Sequence, residues 1–83
     1  MRNTIKMYIA DELRGLRAKA NVTIVELSKN IGISKDTISR YENGSISINI
    51  DTLEKLLDYY NTDFDIFFRN VCANKHNTKE KEE

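Results

Sequence analysis

Lys35, Asp36, Ser39 and Arg40 place two cations, an anion and a hydroxyl within six consecutive residues. Ile38 and Tyr41 are spaced to turn inward on a short helix, which leaves those four polar heads on its outer side. A guanidinium offers a planar fork of donors, an ammonium is a mobile cation, a carboxylate accepts, and a hydroxyl does both. Such a set suits reading a pattern of donors and acceptors rather than making or breaking bonds. The other reactive residues offer no competing chemistry. His76, the one histidine, lies four residues after Cys72, the one cysteine. That spacing can put two ligands on one helical face, but two ligands do not complete a zinc site, and Cys72 fits as an apolar filler. No glycine-rich phosphate loop or nucleophile motif is present. The sequence therefore predicts no enzyme, no metal site and no cofactor.

The 83 residues allow one small domain, and 40% hydrophobic with 31% charged residues is an ordinary globular mixture. Three glycines and no proline favour helices over a turn-rich sandwich or barrel. No apolar run approaches the ~20 residues that span a bilayer, so no membrane contact is expected. A single cysteine makes a reducing cytoplasm the expected location. Thirteen basic residues balance thirteen acidic ones. Neutrality alone speaks against a polyanionic partner, yet the charge is unevenly placed. Residues 1–50 carry eight Lys and Arg against five acids, and residues 51–83 carry five against eight. The positive half holds the quartet.

Helical spacing runs through the chain. Ile9, Leu13, Leu16 and Ala20 form the inner stripe of a first helix, with Asn21 as a left-handed terminus. Thr23 and Glu26 have the spacing of a capping box that opens a second helix, which carries Ile24, Leu27, Ser28 and Ile31 inward and stops at Gly32. Ser34 caps a third helix that ends near Asn43 and Gly44, and Asn49 caps a fourth with Leu53, Leu56, Leu57 and Tyr60 inward. Asp63 opens a fifth with Phe64, Phe67, Phe68 and Val71. The predicted fold is all-α, a five-helix orthogonal bundle over residues 4–73. Residues 74–83 (NKHNTKEKEE) are polar throughout, with no hydrophobic residue, and predict a charged, disordered C-terminal tail.

Two short capped helices around Gly32-Ile33-Ser34, with small Ser28 where they cross, have the logic of a helix-turn-helix. Residues from about Ile9 to Val71 resemble the DNA-binding domain of phage-repressor/Cro-type regulators, the family also called xenobiotic-response-element-like. The resemblance rests on Leu16-Arg17, Thr23-x-x-Glu26-Leu27-Ser28, Ile31-Gly32-Ile33-Ser34, Thr37 through Gly44, and Asp51-Thr52-Leu53. It implies a lambda-repressor-like bundle, a third helix (about 35–42) in the major groove of double-stranded DNA, and often a homodimer on a two-fold site. It also implies that Arg17 and Glu42 form a structural ion pair joining helix one to the end of helix three.

On that docking, Lys35, Asp36, Ser39 and Arg40 become base contacts. Arg40 suits guanine O6 and N7, and Asp36 suits cytosine N4 while repelling phosphate. Thr23 at a helix start, with Asn43 and Ser45, becomes a phosphate contact. The expected function is a sequence-specific transcriptional regulator, a repressor by default because steric blocking needs no further domain.

The chain departs from the family pattern at Ile24, where a phosphate-binding glutamine is common. It departs again in the loop Ser45-Ile46-Ser47, commonly basic, and at Ile48, commonly proline. Loss of the glutamine and of the basic loop removes phosphate anchors. Ile46 and Ile48 either cover a partner or plug the gap under helix four. Ile66 and Cys72 extend the apolar face of helix five and are candidates for a dimer interface. The alternative function is a protein-interaction module, such as an antitoxin or anti-repressor, on the same fold.

Overall fold

The computed structural model describes the backbone of residues 4–81 and the side chains of residues 4–75. Five helices follow in order: α1 (Ile5–Ala20), α2 (Ile24–Ile31), α3 (Lys35–Asn43), α4 (Ile50–Tyr59) and α5 (Phe64–Lys81). No strand occurs among the described residues.

Local polar chemistry sets the helix starts. Thr23 Oγ1 accepts from the Glu26 amide at 3.1 Å and Glu26 Oε1 accepts from the Thr23 amide at 3.4 Å, which closes the capping box of α2. Ser34 Oγ accepts from the Thr37 amide and Asn49 Oδ1 from the Thr52 amide, at 3.2 and 2.8 Å. Asp63 contributes its carbonyl, which takes the Phe67 amide at 3.0 Å. Ends are set by left-handed residues: Asn21 (φ 58°), Gly32 (φ 73°), Gly44 (φ 77°) and Asn61 (φ 57°). At Gly44 an added Cβ would meet the flexible end of the Met7 side chain. The end of α3 therefore lies directly against α1.

Leu13, Leu27, Ile38, Leu53, Leu56, Leu57, Phe67 and Val71 form the buried centre, joined by Tyr8. Helix α1 packs on both α3 and α5, and α2 on α3 and α4. This double duty corrects the inner stripe of α1. Tyr8, Ala10 and Leu13 are its buried residues; Ile9 and Leu16 are half-buried, and Ala20 is exposed. A helix that faces two partners buries a wider arc than a single four-three-four stripe marks. Polar ties reinforce the packing: Asn30 Nδ2 donates to Tyr59 Oη at 3.0 Å, and Asn70 Nδ2 to Glu12 Oε2 at 3.1 Å.

At the C-terminus the described backbone is helical beyond residue 73. Composition predicts disorder from residue 74, but the backbone of α5 continues as helix to Lys81. Propagation from a docked first half costs little per residue, and Ala73, Lys75, Lys79, Glu80 and Lys81 are good helix formers. The side chain of His76 and residues 82–83 lie outside the described residues. No helix among the described residues is long and apolar enough to cross a membrane.

Candidate nucleic-acid interface

The turn between α2 and α3 is built by a small set of contacts. Gly32 takes the positive φ that ends α2, and its amide donates to the Ser28 carbonyl at 2.9 Å. Ser28 Oγ then donates to the Ile33 carbonyl at 2.6 Å, pinning the turn to the helix before it. Ser28 thus does more than avoid a clash at the crossing. Ser34 starts α3 at once, and buried Ile38 with half-buried Tyr41 fixes which side of α3 faces the core.

Lys35, Asp36, Ser39 and Arg40 are all exposed on the other side. They share one face, but two of them also bond to each other: Arg40 Nε lies 3.1 Å from Asp36 Oδ2, one helical turn apart. The i,i+4 spacing of this acid and base is plain in the sequence. Assigning both side chains to an outside ligand is what hides the bond between them.

The loop after α3 shows the same economy. Asn43 Oδ1 accepts from the Ser45 amide at 2.9 Å and from the Ser45 hydroxyl, so these two residues shape the turn that follows Gly44. Both are exposed, as is Thr23, whose hydroxyl oxygen caps α2. Thr23 lines an open depression with Arg17, Asn21, Val22 and Ile24 where the end of α1 meets the start of α2. Ile24 is half-buried and packs against the core. Its side chain supports α2 where a glutamine would supply donors.

Behind this surface, Arg17 Nε donates to Glu42 Oε2 at 2.8 Å and Oε1 at 3.1 Å, and Arg17 Nη1 to the Val22 carbonyl at 3.0 Å. Arg14 Nη1 donates to the Glu42 carbonyl, and Arg14 also pairs with Asp11. Glu42 is the one buried charged residue among the described residues. The Glu42 hydrogen bond, opposed by partial burial, holds the Arg17 pKa above its ordinary value. Nearby Tyr60 is pushed up to about 12, first by burial and then by the Glu42 charge, with Arg17 opposing. The two arginines thus tie the end of α3 to α1.

Ile48 packs against the core, and with Ile46 it lines an open cleft of about 210 Å³ together with Ile5, Lys6, Ile9, Tyr41 and Ser47. Ile66 is 45% exposed, and Cys72 is exposed. No group of three or more His, Cys, Asp or Glu positioned for a metal occurs among the described residues.

Comparison with known proteins agrees with this geometry. Over 51 residues the chain is 33% identical to the cryptic phage CTXphi transcriptional repressor RstR of Vibrio cholerae, covering 61% of this chain and 46% of the relative. Over 56 residues it is 29% identical to the antitoxin PezA of Streptococcus pneumoniae, covering 68% of this chain and 35% of the relative. The chain thus spans less than half the length of these relatives. Among solved structures, the clp gene regulator ClgR from C. glutamicum superposes with a TM-score of 0.82 at 18% identity, over 88% of this chain and 94% of that one, a likeness of fold. The helix-turn-helix family matches residues 13–67, from the buried Leu13 of α1 to the buried Phe67 of α5 and across the whole α2–turn–α3 unit. The chain belongs to the Cro/C1-type helix-turn-helix family of DNA-binding transcriptional regulators.

Proposed function

We propose that this protein is a sequence-specific repressor that lays α3 in the major groove of double-stranded DNA. One observation carries the reading: the outward quartet Lys35, Asp36, Ser39 and Arg40 stands on the second helix of a turn pinned by Ser28 and Ile33. In helix-turn-helix docking that face meets base edges. Arg40 pairs with guanine and Lys35 takes a base acceptor or a phosphate, while Ser39 adds an adaptable contact. Thr23, Asn43 and Ser45 position the domain on the backbone through their hydroxyls and amides. The name of RstR fits a repressor. Exposed Ile66 and Cys72 on α5 are the proposed contacts of a homodimer, which would read half-sites about 34 Å apart. A cytoplasmic location follows from that role.

The test is retardation of duplex DNA over a salt series, with a random pool and with sites selected from it. A specific shift that Arg40→Ala abolishes supports the reading, and no retardation at low salt sinks it. Sedimentation tests the dimer; a concentration-independent monomer mass removes it.

A second reading, binding of a protein partner, is favoured by the apolar cleft of Ile5, Ile9, Tyr41, Ile46 and Ile48 and by the name of PezA. An Ile46→Asp variant that keeps DNA binding but loses a co-purifying partner would support it.

A further inference from the structure

The pair formed by Asp36 and Arg40 lies on the surface, with side chains 76% and 56% exposed. Surface pairs at this spacing add little to stability, so its consequence is to be sought in what the two residues meet. Asp36 lies in the first turn of α3, where a carboxylate is favoured by the helix dipole. That is also the end of a recognition helix that reaches base edges. The nearest approach of Arg40 to Asp36 is through Nε, on the side of the guanidinium away from its Nη1–Nη2 edge. Guanine O6 and N7 can be taken by the terminal edge while Nε stays beside the carboxylate.

We infer that Asp36 is a specificity-determining residue that acts through Arg40, orienting its fork for guanine and making phosphate a poor substitute. This inference rests on the DNA-binding reading above. The physical asymmetry is simple. A guanine edge is neutral overall and accepts the fork without disturbing the pair. A phosphate carries full charge, is repelled by Asp36, and must compete with it for the same cation. Asp36 thus costs affinity for DNA of any sequence and costs less where guanine stands opposite Arg40. The neutral formal charge of the chain fits such a device, since selectivity then rests less on bulk attraction.

The experiment measures binding of wild type, Asp36→Asn, Asp36→Glu, Arg40→Ala and the Asp36→Asn/Arg40→Ala double variant. The probes are a duplex selected by the wild type from a random pool, the same duplex with each guanine replaced in turn, and a mixed-sequence duplex, all over a salt series. Asp36→Asn is expected to tighten mixed-sequence binding about 3–10-fold at low salt and to steepen the log–log salt dependence by up to about one ion. Discrimination at one guanine falls about fivefold or more, within the range that one bidentate base contact supplies. Asp36→Glu restores much of that discrimination, and with alanine at position 40 the Asp36→Asn effect on it vanishes. If the wild type selects a site but Asp36→Asn leaves discrimination within about twofold, the inference is wrong and the DNA reading stands. Equal Asp36→Asn effects with Arg40 or alanine at position 40 also overturn it. A wild type that retards no duplex removes both.

Discussion

Arg17 on α1 binds both carboxylate oxygens of Glu42 on α3, across twenty-five residues of sequence. The pair joins the first helix to the last turn of the helix that carries the exposed quartet. Side-chain exposures of 25% and 7% place Arg17 at the edge of the core and Glu42 inside it. The two ends of the bond therefore differ in what their loss would leave behind. Without Arg17, a buried carboxylate remains; without Glu42, a partly solvated guanidinium remains, still bonded to the Val22 carbonyl.

Arg17→Met is accordingly expected to destabilise the fold by about 3 kcal/mol, the lower end for breaking a buried ion pair. Glu42→Gln should cost less, because an amide still accepts from Arg17 Nε and the remaining cation reaches water. Urea denaturation of both variants and of the double variant checks this. Equal losses for the two single changes would contradict the asymmetry.

Gly32 and Gly44 end successive helices with nearly the same φ, 73° and 77°, but only Gly44 faces a neighbour. Gly32→Ala is expected to cost about 1–2 kcal/mol, the left-handed penalty alone. Gly44→Ala should cost about the same, since its methyl group meets only the flexible Sδ–Cε end of the Met7 side chain, which can turn aside. Adding Met7→Ala to Gly44→Ala should therefore recover little of the loss, which lies in the left-handed backbone. Thermal melts of the four proteins check this.

The same two glycines mark the line between what was legible in the sequence and what was not. Gly32, Gly44, Asn21 and Asn61 are recognisable as helix ends because the left-handed conformation restricts residue type locally. Thr23 with Glu26, Ser34 with Thr37 and Asn49 with Thr52 are equally local, each a side chain reaching an amide three residues on. The approach of Gly44 to Met7 is not local, nor is the burial of Tyr8 and Ala10, which follows from α1 touching α3 and α5 together. The length of α5 escapes composition for another reason: a polar segment that cannot fold alone can continue a helix already docked by Phe67 and Val71. At the candidate interface the outward quartet is readable from helical period. The bond between Asp36 and Arg40 is signalled by the same period, at i,i+4, and only the assignment of both side chains to an outside ligand conceals it.

Tyr60 Oη is buried and has no hydrogen-bond partner among the described residues. Burial raises its pKa from an ordinary 10.0 to about 12, with the Glu42 charge adding to the rise. The folded state therefore holds this proton more tightly than the unfolded chain does. Its contribution to stability is full below pH 10 and is lost as pH rises toward 12. Tyr60→Phe removes both the titration and an unsatisfied hydroxyl. It is expected to be as stable as wild type or more so near neutrality, and its stability should fall less steeply above pH 10. Denaturation curves across that window check the difference; parallel losses in the two proteins would refute the assignment.

Lys35 and Arg40 differ in what they present to a duplex, and the difference predicts separable defects. Lys35 is a flexible point charge at the start of α3, with no fork to match a base edge. Lys35→Ala should weaken binding to all sequences alike and lower the magnitude of the salt slope by about one ion. Arg40→Ala should instead relax preference at one guanine by about 1–3 kcal/mol. Binding of each variant to the selected duplex and its base-substituted versions, over the salt series, distinguishes the two. A base-specific defect in Lys35→Ala, with a uniform one in Arg40→Ala, would reverse the roles of the two cations.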